Sequence, residues 1–419
     1  MSIQTDIRTA RPALPKPMRQ ASISVASIQS AALWLFVFLG FLAIVEPSPY
    51  EVMFLIAAFV FAVTGLRLAP SFSPMIIGIL MFNIGGAFCL IPFITERDAF
   101  TFIAISFYMG ITAIFYAGVA LDDTLSRLKT IRSAWTLAAV IAAICGMLGY
   151  FNVAGLGEIF TVFGRASGTF KDPNVLGPFL AGPAVLLIQA FFVGDVRRPI
   201  AAIVALLIIL GGVFFSFSRG AWGVTVFAIV MTGCLLMATS GSSRMHSRIF
   251  MTAVIGSILL TVLLAIILSI DSIRLLFEQR FSLTQDYDVG AQGRFGKIGS
   301  AITLLLDRPN GLGPLKFDNY FPEAPHNVYV NAFSAYGWLG GISYFCLICS
   351  TLWIGWAGVW KRTPWQGIYI GFWSVTFFQI LQGLQIDTDH WRHLWLLIGV
   401  TWGAATASFR YEAATRRLG

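Results

Sequence analysis

The sequence predicts an all-α integral membrane protein with about twelve transmembrane helices in a single polytopic domain over residues 1–419. Of these residues 57% are hydrophobic and only 11% are charged, whereas a soluble domain carries about 25% charged residues. Apolar runs close to 20 residues long recur along the chain, and this is about the length that crosses the hydrocarbon core of a bilayer. Short connections between the runs predict one domain rather than several.

The apolar segments follow one another with short polar interruptions. The tenth segment is long enough to include a turn outside the bilayer, and the second is short. The five cysteines all lie within these segments, which predicts buried free thiols rather than disulfides or metal ligands. We expect helices over 27–46, 51–66, 73–93, 99–120, 134–151, 175–194, 199–217, 221–239, 250–269, 328–358, 366–385 and 393–409.

The distribution of basic residues predicts the orientation in a bacterial inner membrane. Residues 1–26 are basic and proline-containing and lack the features of a cleaved signal peptide, so we expect a retained cytoplasmic tail. With the N-terminus inside, both termini are cytoplasmic, and 17 of the 28 Lys and Arg residues lie on the cytoplasmic side. This excess agrees with the positive-inside rule. The net charge of +8 is spread over these loops, which argues against a nucleic-acid partner.

The basic residues on the periplasmic side gather in two loops, 152–174 and 270–327, and at Arg219. Basic residues on the translocated side oppose the insertion bias, so their clustering suggests a site for an anionic ligand. The alternative is that they pair with nearby acids such as Glu158. The second loop separates the ninth and tenth helices and is predicted to be partly helical.

Arg219 stands in the segment Phe217-Ser218-Arg219-Gly220, between two apolar helices. An arginine this close to the hydrocarbon is costly unless it has a partner or a wet cavity. We therefore regard it as a candidate anion ligand. The alternative is an arginine that only extends to the membrane interface.

The second loop contains a candidate anion-binding helix. Apolar residues recur at helical spacing from Phe295 to Leu305, and Pro309 follows. Arg294 then lies in the first turn, with Lys297 one turn on, where backbone N–H groups also favour an anion. A guanidinium there suits bidentate phosphate binding. A solvated basic helix face is the alternative.

His326 is the only histidine in the large loop. Imidazole is the side chain best matched to proton transfer near neutral pH, which makes His326 a candidate general base. A lone histidine at an interface is also commonly structural, and that alternative remains open on the residues alone.

The order and spacing of these segments resemble the O-antigen ligase family. His326-Asn327, nine residues, and then Gly337-Trp338-Leu339-Gly340 reproduce that family's His-Asn-x9-Gly-x-x-Gly pattern. The segments around Arg219 and Arg294, the turn Gly311-Leu312-Gly313-Pro314, and the first-loop stretch from Arg165 to Asn174 also resemble it, in the usual order. The resemblance covers about residues 160–345 by motif.

The resemblance implies a GT-C-like fold with a partly helical periplasmic loop over a lipid-facing cavity. It implies a glycosyltransferase that moves a glycan from undecaprenyl diphosphate to an acceptor sugar, usually on lipid A-core, with no metal or nucleotide cofactor. The implied partners are the lipid-linked donor, the lipid A-core or growing polysaccharide acceptor, and membrane lipid. The implied catalytic residues are His326, Arg219 and Arg294, and the implied substrate-binding residues are Arg165, Lys171, Asp172, Asn174, Asn327 and Lys297.

Three alternatives are weighed against this interpretation. A polymerase of O-antigen or exopolysaccharide repeat units would use the same donor, but the Arg-x10-Gly pattern typical of such polymerases is absent from the two loops. An organic-anion transporter would show inverted repeats with broken helices at the midplane, which we do not find in the sequence. Asp387, Asp389, His390 and His393 could hold a divalent metal, but their spacing fits no standard motif.

Overall fold

The computed structural model describes residues 24–45, 47–281 and 294–418, together with the side chains of these residues except Arg294, Phe295 and Leu418. Most of the predicted tail 1–26, part of the loop 270–327, and the Arg294 side chain therefore lie outside the described residues. The chain is 79% helical, which confirms the all-α class.

The helices are numbered here in chain order. They are α1 Val25–Leu39, α2 Pro49–Thr64, α3 Ser73–Leu90, α4 Arg97–Leu121, α5 Thr124–Tyr150, α6 Gly157–Phe160, α7 Pro173–Val193, α8 Pro199–Phe215, α9 Arg219–Thr239, α10 Ser243–Leu268, α11 Asp271–Phe281, α12 Arg294–Leu306, α13 Val328–Val359, α14 Gln366–Gln382 and α15 Arg392–Leu418. Short 3-10 turns stand at Pro70–Phe72, Ile91–Phe93, Val153–Gly155 and Phe317–Asn319.

Each of the twelve predicted apolar segments overlaps one of these helices. Within the described ranges, seven helices are long and apolar enough to cross a membrane, and α1, α2 and α8 are apolar but shorter. The membrane class is thus confirmed, and the count of twelve crossings stays a prediction.

Helix α5 begins ten residues before its predicted start. Its first turns are polar, yet Lys129 and Arg132 form ion pairs with Asp195 at 3.1 and 3.0 Å. Lysine and arginine are good helix formers, so the helix begins before its apolar segment starts. The hydropathy pattern alone could not show this extension.

The first loop forms a small hairpin that the sequence did not predict. Strand β1 (Thr161–Val162) pairs antiparallel with β2 (Arg165–Ala166). Gly164 has a positive φ of 68° in the turn between them. The hairpin turns Arg165 inward, where only 7% of its surface is exposed.

Helix α13 is interrupted at Gly337, where φ is 66° and ψ is −173°. The interruption frees the carbonyl of Ser334, which accepts the N–H groups of Leu312 and Gly313 at 2.8 and 3.1 Å. A Cβ on Gly337 would lie 2.8 Å from the Pro309 carbonyl oxygen, so only glycine fits. The two glycine-rich motifs of the family resemblance therefore meet, and the predicted turn of the tenth segment outside the bilayer stays a prediction.

The core is formed by aromatic and small side chains where α3 packs against α13 and α4 against α15. Phe82 stacks on Tyr336 with ring centroids 4.0 Å apart. All five cysteines are free, as expected, but only Cys89 is buried and Cys234, Cys346 and Cys349 are exposed. The expectation of buried thiols was wrong for these three, because they lie on outward helix faces that an apolar sequence does not distinguish from core faces.

Candidate active site

The predicted first-loop residues form a connected group around Arg165. The Arg165 Nε donates to the carbonyl oxygen of Ser216 at 2.8 Å, and its Nη2 donates to Oδ1 of Asn174 at 2.8 Å. Asp172 caps α7, since its Oδ1 accepts from the Asn174 N–H at 2.7 Å. Arg165 therefore fixes the hairpin to the turn that leads into α9, while a contact with substrate by Arg165, Asp172 or Asn174 stays a prediction.

Arg219 is the first residue of α9, directly after a tight turn. Phe217 in that turn has a φ of 45°, and the Ser218 N–H donates to Oγ of Ser216 at 3.3 Å. The hydrogen bond from Arg165 to the Ser216 carbonyl oxygen places the start of α9 beside the first loop. This is the setting in which an anion is stabilised by a helix N-terminus and a guanidinium together.

The C-terminal end of α14 joins the Arg219 turn to the His326 turn. A Cβ on Gly220 would lie 2.6 Å from Nε2 of Gln382, so the Gln382 side chain packs directly on the first turn of α9. The carbonyl of Gly383 accepts from the Val328 N–H at 2.9 Å. Residues far apart in sequence are brought together by this one helix end.

Asn327 caps α13 and anchors the turn before it. Its Oδ1 accepts from the N–H groups of Tyr329 and Val330 at 3.0 and 3.1 Å, and its Nδ2 donates to the Leu384 carbonyl at 3.1 Å. Its own N–H donates to Oδ1 of Asp387 at 3.1 Å. The structure thus gives Asn327 a positioning role, and the predicted substrate contact is not tested by it.

His326 stands in a left-handed backbone conformation, with φ 47°, between buried Pro325 and Asn327. Such a conformation is uncommon outside glycine, and histidine is among the residues enriched in it. The anchors on Asn327 hold the backbone in this conformation. The position of the imidazole is therefore set by the turn rather than by a regular helix.

Helix α12 confirms the predicted helix in the second loop. Its buried face, Ala301 and Leu305, packs on Leu312, Phe317 and Val330. The Lys297 Nζ pairs with Oε2 of Glu323 at 3.2 Å, with 13% of the Lys297 side chain exposed. Lys297 therefore has a local acidic partner, which is the alternative considered for the loop cations, and Arg294 supplies the first residue of this helix.

A cavity of about 1040 Å³ opens beside these segments. Its wall comes from the α1–α2 connection, the first half of α4, the end of the first loop, the residues between α12 and α13, and the segment before α15. Of the predicted site residues with described side chains, only Lys171 lines it; Ala324 and Pro325, just before His326, line it as well.

The segment Asp387–His393 was considered above as a metal site. Within the described residues, no group of three or more His, Cys, Asp or Glu side chains is arranged to hold a metal ion. Oδ2 of Asp389, which is 2% exposed, instead accepts from Nδ1 of His390 at 3.1 Å and from Asn331 and Tyr336 at 3.3 and 3.4 Å. These side chains build one side of the cavity.

Sequence reasoning missed the α14 end and the α2 and α4 residues at the cavity. Glu51 pairs with Arg392 at 2.6 Å across the cavity wall, although 341 positions separate them in sequence. A charged residue within a predicted apolar segment, such as Glu51, was the available signal, because a charge there needs a partner. Gln382 and Gly383 carried no such signal.

One known protein family matches the part of the chain that contains Arg219, the start of α12 and the His326 turn. Residues 204–345 match the model of a family described as O-Antigen ligase. This segment is therefore similar to the O-antigen ligase family, and the larger part of the chain lies outside the match. No curated protein matches the chain.

The O-antigen ligase match confirms the resemblance drawn from the motifs. It contains Arg219, Arg294, Lys297, His326 and Asn327, whereas the first loop and the α14 end lie outside it. It supports a glycosyltransferase-like activity of the ligase or polymerase kind in a membrane protein, with a polysaccharide or lipid-linked glycan as substrate.

Proposed function

We propose that this chain is a metal-independent glycosyltransferase of the O-antigen ligase type. In this proposal it transfers a glycan from undecaprenyl diphosphate to an acceptor sugar of lipid A-core at the periplasmic face of the inner membrane. The observation that carries the proposal is the convergence of the Arg219 turn and the His326 turn, both within the matched residues 204–345, at the end of α14. A site for phosphate charge and a candidate base thus share one end of the helices.

The proposed reaction forms one bond to the anomeric carbon, breaks another and transfers one proton. The oxygen of the acceptor hydroxyl attacks the anomeric carbon of the glycan, and its proton passes to the His326 imidazole. The bond from the anomeric carbon to the diphosphate oxygen breaks, and undecaprenyl diphosphate leaves. In this proposal Arg219 and Arg294 stabilise the negative charge that grows on the leaving group, and removal of one such preorganised donor typically costs about 2.7–4 kcal/mol of barrier.

The remaining predicted residues contribute to the same site in different ways. Arg165, Asn174, Asp172 and Asn327 hold the turns through the hydrogen bonds described above. Lys171 is exposed on the cavity wall, where it contacts the acceptor in this proposal, and Lys297 binds substrate only in exchange for its partner Glu323. We propose that the guanidiniums bind the diphosphate and the cavity side receives the acceptor.

The experiment that tests the proposal is deletion of the protein followed by gel analysis of lipopolysaccharide and of carrier-linked glycan. Loss of glycan-capped core, with long glycan accumulating on undecaprenyl diphosphate, is the result expected of a ligase. Core that carries single repeat units, without long glycan on the carrier, would instead indicate a polymerase. Unchanged lipopolysaccharide and carrier pools would refute both activities.

A further inference from the structure

The large cavity borders the chain just before His326, and Arg219, the candidate diphosphate ligand, is not among the described residues of its wall. Ala324 and Pro325, immediately before His326, lie on its wall, as do Asn331 and Ser334 in the first turns of α13. The His326 turn therefore lies next to the cavity, and the end of α14 links it to the start of α9.

The charges on the cavity wall do not favour a phosphate group. Its carboxylates are Glu51, Asp98, Asp318, Asp387 and Asp389, and its cations are Arg97, Lys171 and Arg392, with His390 when protonated. The Arg392 guanidinium is occupied by Glu51 at 2.6 Å and also lies over the Tyr50 ring at 4.8 Å. Glu51 and Arg392 neutralise each other, so among the described residues four carboxylates remain against Arg97, Lys171 and His390. An anionic ligand would thus meet more negative than positive groups, and like charges brought together cost binding free energy.

The same wall offers what a neutral saccharide needs. Carboxylates accept hydrogen bonds from hydroxyl groups, and aromatic rings provide apolar faces on which sugar rings can lie. Phe100, Phe102, Tyr108 and Trp391 all line the cavity, and 53% of the Phe100 surface is exposed. A volume of about 1040 Å³ lies just above the usual range of ligand sites, about 300–1000 Å³, so more than one sugar ring fits.

We infer that this cavity is the acceptor site and that it takes an uncharged saccharide rather than a phosphorylated one. The inference rests on the proposed function for its role in transfer, but saccharide binding to the cavity can be measured without any transfer. The acceptor hydroxyl would enter from the cavity and meet His326 at its boundary, with the donor diphosphate at the start of α9.

Ala104→Trp tests the site by filling it. Ala104 is exposed on α4 and lines the cavity, so an indole there occupies acceptor space without displacing the core. We expect the KM for the acceptor to rise by on the order of 100-fold, with donor binding unchanged. Ala87→Trp is the matched control, because Ala87 is also exposed, lies on neighbouring α3 and does not line the cavity; it should behave as the wild type.

Phe100→Ala is a second variant, which removes contact area rather than adding bulk. It tests the same site if Ala104→Trp fails to fold. We expect a rise in acceptor KM of about 10-fold or more. Equilibrium binding of a radiolabelled neutral trisaccharide of hexoses to the detergent-purified full chain should weaken in both variants. Wild-type binding and wild-type acceptor KM in both would overturn the inference.

The charge preference is tested with the same trisaccharide carrying a phosphate on its terminal sugar. We expect the neutral form to bind at least about 10-fold more tightly, and tighter binding of the phosphorylated form would overturn the stated preference. The proposed function can fail separately. If wild-type protein binds the neutral saccharide and Ala104→Trp does not, yet no glycan transfer is observed, then the saccharide site stands and the transferase proposal falls.

Discussion

At the scale of single residues, the candidate site depends on backbone conformation as much as on side-chain type. His326 has a φ of 47° and is followed by Asn327, whose backbone N–H donates to Asp387 and whose side chain accepts from the Tyr329 N–H. Arg219 follows a turn in which Phe217 is also left-handed. Both residues thus lie at helix starts beside a left-handed backbone conformation. Variants at these positions are therefore chosen to distinguish the loss of the functional group from the loss of the turn.

His326→Asn should reduce kcat by about 10²–10⁴-fold with little loss of stability. Asparagine also adopts the left-handed conformation readily, so the turn survives, but an amide cannot take a proton at neutral pH. His326→Ala should lose the same activity and also about 1–2 kcal/mol of stability to backbone strain. Turnover and thermal unfolding of both variants in detergent measure the two effects, and wild-type turnover in His326→Asn would exclude a general base there.

Arg219→Lys should fail nearly as badly as Arg219→Ala in kcat/KM for the donor. Lysine keeps the charge but cannot form the planar, two-pronged hydrogen bonds that suit a phosphate. The expected loss is about 2.7–4 kcal/mol of barrier for either variant. Full activity of the lysine variant would reduce Arg219 to a generic positive charge.

At the scale of elements, helix ends position the site. The start of α9 meets the end of α14, which in turn accepts the backbone of α13 through Gly383. The interruption at Gly337 provides the carbonyl that anchors the turn after α12. Regular helices therefore serve as supports, and their ends and breaks carry the residues of interest.

Asn327→Ala should lower the free energy of unfolding and weaken transfer. Loss of the helix cap costs about 0.5–2 kcal/mol, and the bond to the Leu384 carbonyl adds roughly 1 kcal/mol. Asn327→Ser should retain the cap and recover part of the stability. Thermal unfolding of the two variants measures this difference, and equal stability of wild type and Asn327→Ala would remove Asn327 from the anchor.

His390 links the segment before α15 to α4 and should make stability depend on pH. Burial disfavours its charged ring, but the Asp389 carboxylate and the Phe102 carbonyl, 3.0 Å from Nε2, outweigh this, and the pKa of His390 is raised above 6.5. A raised pKa contributes stability that is fully present below pH 6.5 and is lost as the pH rises through the folded-state pKa. The unfolding temperature of the wild type should fall over that interval relative to His390→Gln. Parallel curves for the two proteins would contradict the expectation.

At the scale of the whole molecule, the first loop, the start of α9, the segment before α13 and the end of α14 meet at one end of the helices. The alternation of helix direction and the distribution of Lys and Arg predict that this end is periplasmic. The candidate donor and acceptor sites then share the face on which a lipid-linked glycan would be presented.

Cysteine labelling tests this orientation. In a cysteine-free background, Tyr320→Cys, at a position that is 47% exposed between α12 and α13, should react with an impermeant reagent in cells with a permeabilised outer membrane. Gly241→Cys, in the exposed turn between α9 and α10, should react only after lysis. The reverse pattern would place the candidate site in the cytoplasm and refute the proposed function.

The sequence by itself determined the membrane class, the positions of the apolar helices, the helix after Arg294 and the similarity to the O-antigen ligase family. Each of these follows from local properties, since hydropathy, helical spacing and short motifs can be read without knowing which segments are neighbours. It also indicated Arg219 and His326 as residues of interest, through charge near hydrocarbon and through motif spacing.

Only the tertiary structure decided which of these residues meet and what surrounds them. The pairing of Glu51 with Arg392, the packing of Gln382 on Gly220 and the cavity beside His326 all join segments far apart in the chain. Lateral packing of helices depends on shape complementarity between side chains, which hydropathy and short motifs do not encode. For the same reason, the sequence could propose a site but could not distinguish Asn327 as an anchor from Asn327 as a ligand.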